Sequence, residues 1–92
     1  MSIQWLFDVI EDRKKNPTEK SYTTSLFQDG LPKIAQKVGE EGTEVVVAAL
    51  AQSDERLIEE VADLAYHTLV LISARGIHPD QIVAELQKRH QK

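Results

Sequence analysis

Two groups of acids stand out by their spacing. Glu40, Glu41 and Glu44 fall within five residues, and Glu60 and Asp63 follow at i, i+3. On a helix each residue advances about 100° round the axis, so neighbours three and four apart share a face. Carboxylates gathered that way repel one another unless a cation joins them. Donors that are all oxygen favour hard Mg²⁺, with Mn²⁺ as a substitute, and such ions keep waters and bind phosphate oxygens as well.

The elements that position these acids read as helices. Residues 32–52 form one, opened by Pro32, which suits a first turn. With Ile34 set at zero, Val38, Val45 and Ala49 fall between about 20° and 60°, the middle of an apolar stripe. Glu41 lies nearest its edge, at about 340°, with Lys37, Glu44 and Glu40 successively farther round. A second long helix, capped by Ser53 and Asp54, runs to about Arg75 and stops at Gly76. Its apolar residues, from Leu57 to Ile72, surround most of the circumference, which predicts a buried helix. Glu60, Asp63 and His67 form a polar island on it, within about 60° of one another. Buried carboxylates are rare unless paired or coordinating. The plainer alternative is pairing along each helix, Lys37 with Glu41 and Arg56 with Glu60. His67 reads as a satisfied core histidine without a catalytic role.

Two shorter helices flank this pair. Ile3, Leu6, Phe7 and Ile10 follow helical spacing, with Ser2 as the expected N-cap and Pro17 ending the helix near Lys15. Pro79 opens the last helix, with Ile82, Val83 and Leu86 on its apolar side. Residues 16–30 show no long periodicity and read as a hydroxyl-rich loop containing Ser21, Tyr22, Thr23 and Thr24 and closing at Asp29-Gly30. The fold expected is all-α, a helical bundle of four to five helices in a single domain over residues 1–92.

The 92 residues include no cysteine, which excludes disulfides and thiolate metal sites. Net charge is −4, unevenly spread: residues 13–37 carry +4 and residues 38–63 carry −7. That order suits a polyanionic ligand arriving with divalent cations, although two solvated helix faces would give the same counts. No apolar run approaches a membrane span and no leader pattern begins the chain, so a cytoplasmic protein with neither membrane nor nucleic-acid partners is expected.

Glu40-Glu41-Gly42-Thr43-Glu44 followed by Glu60-Val61-Ala62-Asp63 resembles the split acidic motif of the MazG-type all-α nucleotide pyrophosphohydrolases. Ser21-Tyr22-Thr23, Leu26-Phe27, Gly30, Lys33-Ile34, Lys37-Val38-Gly39 and Tyr66-His67 are similar to the pattern of the phosphoribosyl-ATP pyrophosphatase family within that group. The resemblance runs from about residue 3 to residue 86. It implies Mg²⁺-dependent hydrolysis of 1-(5-phosphoribosyl)-ATP to the monophosphate and pyrophosphate, the second step of histidine biosynthesis. It also implies a homodimer with active sites near the subunit contact. Some members carry a cyclohydrolase domain upstream, for which this chain is too short.

On this reading Glu40, Glu41, Glu44, Glu60 and Asp63 are the catalytic acids. Glu41, Glu44, Glu60 and Asp63 are the metal ligands, and Glu40 holds a second ion or orients water. Lys33 and Lys37 meet the phosphate tail one turn before the acids. Ser21, Tyr22 and Thr23, with Arg13, are the remaining substrate-binding candidates. Two rivals stand beside it: a housecleaning nucleoside triphosphate pyrophosphohydrolase, and a non-catalytic helical interaction module. A shared four-helix dimer core is expected because Leu69, Val70 and Ile72 have few helices within the chain to cover them.

Overall fold

The computed structural model describes residues 3–91, which form five α-helices; no strand occurs among them. These are α1 (Gln4–Lys15), α2 (Tyr22–Asp29), α3 (Leu31–Ala51), α4 (Asp54–Ala74) and α5 (Pro79–His90). The expected Ser2 cap lies outside the described residues.

Local chemistry sets most of the boundaries. Ser53 caps α4, its hydroxyl accepting from the Arg56 amide at 3.3 Å. Gly76 ends α4 with φ +73°. The Ile77 amide returns to the Ile72 carbonyl at 2.8 Å and the Gly76 amide to Ser73 at 3.0 Å, a Schellman closure. His78 and Gln81 cap the start of α5 reciprocally: Asp80 N–H donates to the imidazole, and His78 N–H donates to the Gln81 amide oxygen.

The stretch expected as a loop, 16–30, contains α2. Ser21 supplies its cap by accepting from the Thr24 amide at 3.2 Å, and Gly30, at φ +95°, breaks it from α3. Eight residues give only two turns, too few to display a period, and Thr23 and Thr24 have modest helix propensity. Tertiary burial of Thr23, Thr24 and Leu26 holds the helix instead.

The long helices α3 and α4 form a hairpin through residues 52 and 53. The buried side of α3 consists of Ile34, Glu41 and Ala48, while Ala49 is exposed and Val38 and Val45 are half-buried. Its buried face is therefore centred on Glu41, rotated from the apolar average expected of the sequence. A second correction concerns α4, which is not covered all round: Ile58 and Val61 lie exposed. Leu69, Val70 and Ile72, expected to lack cover, are buried instead in one cluster with Phe7, Ile10, Leu26 and Ile34. The helix that covers them is α1, aided by α2.

Polar pins fix α1 against the C-terminal end of α4. Lys14 Nζ donates to the Ser73 carbonyl at 2.8 Å and pairs with Glu11 at 3.0 Å, while the buried Ser73 hydroxyl donates to the Glu11 carboxylate. Burial alone would raise the Glu11 pKa, but the Ser73 and Lys14 hydrogen bonds outweigh it and hold the carboxyl below its ordinary value. At the other side of α1, Phe7 meets the His78 ring edge-on at 5.2 Å. Apart from Pro79, α5 is exposed along its length.

Ile10 is fully enclosed at the centre of this cluster. Ile10→Ala is expected to cost about 2–5 kcal/mol, from lost transfer energy plus a cavity. A urea titration showing less than about 1 kcal/mol lost would mean that α1 is not an integral part of the core.

Candidate metal and substrate site

The acids meet where the middle of α3 faces the first half of α4. One carboxylate oxygen from each of Glu41, Glu60 and Asp63 lies within 4.8 Å of the other two. Glu41 and Glu60 are buried, at 6% and 4% exposure, and Asp63 opens to solvent. Each buried carboxylate is paired on one oxygen only. Lys37 stands 3.6 Å from Glu41 Oε1, and Arg56 hydrogen-bonds Glu60 Oε1 at 2.8 Å. Both expected intrahelical pairs are thus present. They nevertheless leave Glu41 Oε2 and Glu60 Oε2 buried without a hydrogen-bond partner. An orphaned carboxylate oxygen is costly to bury, and these three acids on facing helices form a group that could hold a metal ion.

Glu44 lies beside Glu60, where the two line a small cleft with Val47, Gln52 and Arg56. The adjoining Glu44 carboxyl is the main cause that raises the Glu60 pKa; burial adds to it, and Arg56 opposes both. The native state then holds a proton on Glu60 that the unfolded chain releases near pH 4.5. Above that pH the native state binds more protons than the unfolded one, so this group's contribution to stability falls as pH rises through the window up to the raised native pKa. In EDTA, the wild type is expected to lose melting temperature relative to Glu60→Gln, which lacks the group, as pH rises from 4.5 through the raised native pKa. Parallel melting curves across that range would show that Glu60 carries no such proton.

One turn along, Lys37 is half-buried and pairs with Glu40 at 3.5 Å as well as with Glu41. Glu40 is exposed, and Gln36 first and Lys37 next hold its carboxyl below the ordinary range. Burial would lower the Lys37 pKa, but Tyr22, Glu40 and Glu41 together raise it. Lys33 is exposed one turn earlier on α3.

The hydroxyls of 21–24 serve α2 itself. Ser21 caps it, Thr23 hydrogen-bonds the Tyr66 hydroxyl, and Thr24 accepts from the Thr18 amide at 3.1 Å. Tyr22 is turned outward and is 52% exposed, while its hydroxyl reaches His67 Nε2 at 3.0 Å. His67 is buried and also bonded through Nδ1 to the Asp63 carbonyl at 2.8 Å, a satisfied histidine as its setting suggested. Arg13 stands apart on α1, paired with Asp12 at 2.7 Å. The structure therefore gathers Glu41, Glu44, Glu60 and Asp63, with Lys37, Glu40 and Tyr22 at their edge, and does not bring Arg13 into that group. Tyr66 escaped the sequence reading as a functional neighbour; its place beside His67 was the available signal.

The acid-lined helical hairpin is matched by sequence comparison over nearly its whole length. A family model described as phosphoribosyl-ATP pyrophosphohydrolase matches residues 4–90. The chain belongs to this family. It is 53% identical over 87 residues to a phosphoribosyl-ATP pyrophosphatase of Clostridium acetobutylicum, covering 95% of this chain and 79% of that one. To its counterpart in Lacticaseibacillus casei it is 55% identical over 91 residues, covering 99% and 83%. A counterpart from Sulfurisphaera tokodaii is 50% identical over 84 residues, covering 91% and 89%. The resemblance drawn from the acidic motif and the 21–39 segment is thereby borne out.

Proposed function

We propose that this chain, acting as one nucleotide pyrophosphohydrolase domain in a cytoplasmic homodimer, hydrolyses 1-(5-phosphoribosyl)-ATP to 1-(5-phosphoribosyl)-AMP and pyrophosphate in histidine biosynthesis. The observation that carries the reading is the pair of buried, half-satisfied carboxylates beside Asp63, in a chain of this family.

Water adds to the α-phosphorus, the bond to the bridging α–β oxygen breaks, and that oxygen leaves with pyrophosphate. A Mg²⁺ ion, when bound, lowers the pKa of water and shields the phosphoryl oxygens, and Mn²⁺ can supply the same chemistry. Glu41, Glu60 and Asp63 are the residues that would hold it, with Glu44 beside Glu60. Arg56 and Lys37 keep one oxygen of each buried carboxylate oriented along its own helix. Glu40, exposed and displaced by a turn's edge from the cluster, suits a second ion or a water contact. Lys37 and Lys33 place positive charge next to the acids, where the triphosphate must lie if its α-phosphorus is to reach them.

The dimer is supported by the apolar surface that a single chain leaves open. Val46, Val47 and Leu50 on α3 and Ile58 and Val61 on α4 are all exposed, Leu50 at 83%. A groove of about 460 Å³ opens between α4 and α5, where Ile82, Val83 and Leu86 are exposed. Apolar surface of this extent on a small chain marks an interface. Among the described residues no helix is long and apolar enough to cross a membrane.

The test is product analysis. The purified chain with phosphoribosyl-ATP and Mg²⁺ is expected to release pyrophosphate and phosphoribosyl-AMP in equal amounts. ATP and the common deoxynucleoside triphosphates are expected to be poor substrates. Faster hydrolysis of those than of phosphoribosyl-ATP would establish the housecleaning activity instead.

A further inference from the structure

His67 bonds to the Asp63 backbone and not to the acids' carboxylates, yet it joins two elements of the site. Its Nδ1 lies 2.8 Å from the Asp63 carbonyl. A carbonyl only accepts, so Nδ1 carries the hydrogen. In the neutral ring Nε2 is then the acceptor, and the Tyr22 hydroxyl, 3.0 Å away, donates to it. The phenolic oxygen is left with its lone pairs free and its proton committed. It can accept a hydrogen bond but has none to give.

The place of that oxygen is equally constrained. His67 lies one turn along α4 from Asp63, and Lys37, within electrostatic range of Tyr22, lies one turn along α3 from Glu41. Tyr22 therefore stands at the end of the acidic cluster on both helices at once. Its ring remains half-exposed, packed against Tyr66 at 6.2 Å and edge-on to His67 at 5.8 Å. A tyrosine that served only the core would bury its ring; here the buried partner is the histidine, at 5% exposure. The Ser21 cap and the Thr23–Tyr66 and Thr24–Thr18 bonds fix the short helix that carries it. Pre-set geometry of this kind is what a binding contact requires.

We propose that Tyr22 contacts the substrate and that His67 is its positioning residue, holding the phenolic oxygen as an acceptor for a sugar hydroxyl of the phosphoribosyl nucleotide at the edge of the acidic cluster. The sugar, rather than the phosphate chain, is the chemical partner because phosphates are largely deprotonated at neutral pH, whereas sugar hydroxyls always carry a proton to donate. The inference rests on the pyrophosphohydrolase reading.

The experiment compares steady-state kinetics of wild type, Tyr22→Phe, His67→Asn, His67→Gln and the Tyr22→Phe/His67→Asn double variant on phosphoribosyl-ATP with saturating Mg²⁺. Asn places an amide where Nδ1 was and keeps the Asp63 link, whereas Gln reaches the Nε2 position and can still accept from Tyr22. Tyr22→Phe and His67→Asn are each expected to raise KM about 3- to 10-fold, the worth of one uncharged hydrogen bond, with a smaller change in kcat. The double variant is expected to be no worse than Tyr22→Phe, and His67→Gln to restore KM most of the way. A residue that only supports the fold would lower melting temperature and leave KM in place. Wild-type KM in Tyr22→Phe, whose half-exposed position keeps folding out of question, would overturn the proposal, as would simple multiplication of the two KM effects. Absence of pyrophosphate release by wild type in the same assay would instead defeat the pyrophosphohydrolase reading itself.

Discussion

Asp63→Asn and Glu60→Gln are each expected to lower kcat/KM for phosphoribosyl-ATP by more than about 100-fold, since even partners outside a metal's direct ligands typically cost 10- to 100-fold. Neither change removes bulk, and neither residue belongs to the apolar cluster formed by α1, α2, Ile34 of α3 and the C-terminal half of α4. Far-UV circular dichroism should therefore match the wild type. Glu60→Gln also relieves the crowding of Glu60 against Glu44, so the metal-free variant should melt no lower than wild type at neutral pH. The counterpart concerns the cation: Mg²⁺ should raise the melting temperature of wild type, because a ligand of the native state stabilises it by mass action, and should raise that of the two variants less. Near-wild-type turnover by both variants in saturating Mg²⁺ would remove these residues from the mechanism. A full Mg²⁺ shift in both would separate ion binding from them in the same way.

Sedimentation equilibrium at micromolar concentration is expected to give twice the 10.4 kDa chain mass, and Leu50→Glu combined with Ile58→Glu to give the chain mass alone. The two side chains are 83% and 69% exposed and lie on the exposed apolar faces near the α3–α4 turn. Charge placed there has water to face in one chain but none within an apolar interface, where an unpaired carboxylate is strongly unfavourable. The acidic cluster lies on the same two helices, from about half a turn to about two and a half turns away. Activity of the double variant should consequently fall at least tenfold and recover in part at high protein concentration, an order-of-magnitude expectation for a site completed near a subunit contact. A wild-type chain that sediments as a monomer, with specific activity unchanged on dilution, would place the whole site within one chain.

What could be read from the chain were features that neighbouring residues settle among themselves. Pro32 and Pro79 open helices, Ser53 caps one, and Gly76 closes one, because each acts on backbone groups within a turn of itself. The acids were legible for the same reason: i, i+3 and i, i+4 spacing brings side chains together on any helix. Lys37 with Glu41 and Arg56 with Glu60 followed from that spacing too.

The tertiary structure decided which way each helix faces and what covers it. The apolar average of α3 pointed toward Val38, Val45 and Ala49, yet packing against α4 turned Glu41 inward and left Ala49 outside. Rotation about a helix axis is set by all contacts across an interface together, and a cation site can reward a buried acid that a hydropathy average counts against burial. The helix α2 exists because Thr23 and Leu26 meet residues distant in the chain, and no two-turn segment displays that in its own period. Leu69, Val70 and Ile72 found cover in α1 rather than across a subunit contact, which moved the open apolar surface to Leu50 and Ile58. Tyr22 and His67, 45 residues apart, became neighbours only through the docking of α2 on α4. Spacing along one helix is fixed by covalent geometry, whereas the choice among competing partners is a comparison of whole packed arrangements, and only the folded chain makes it.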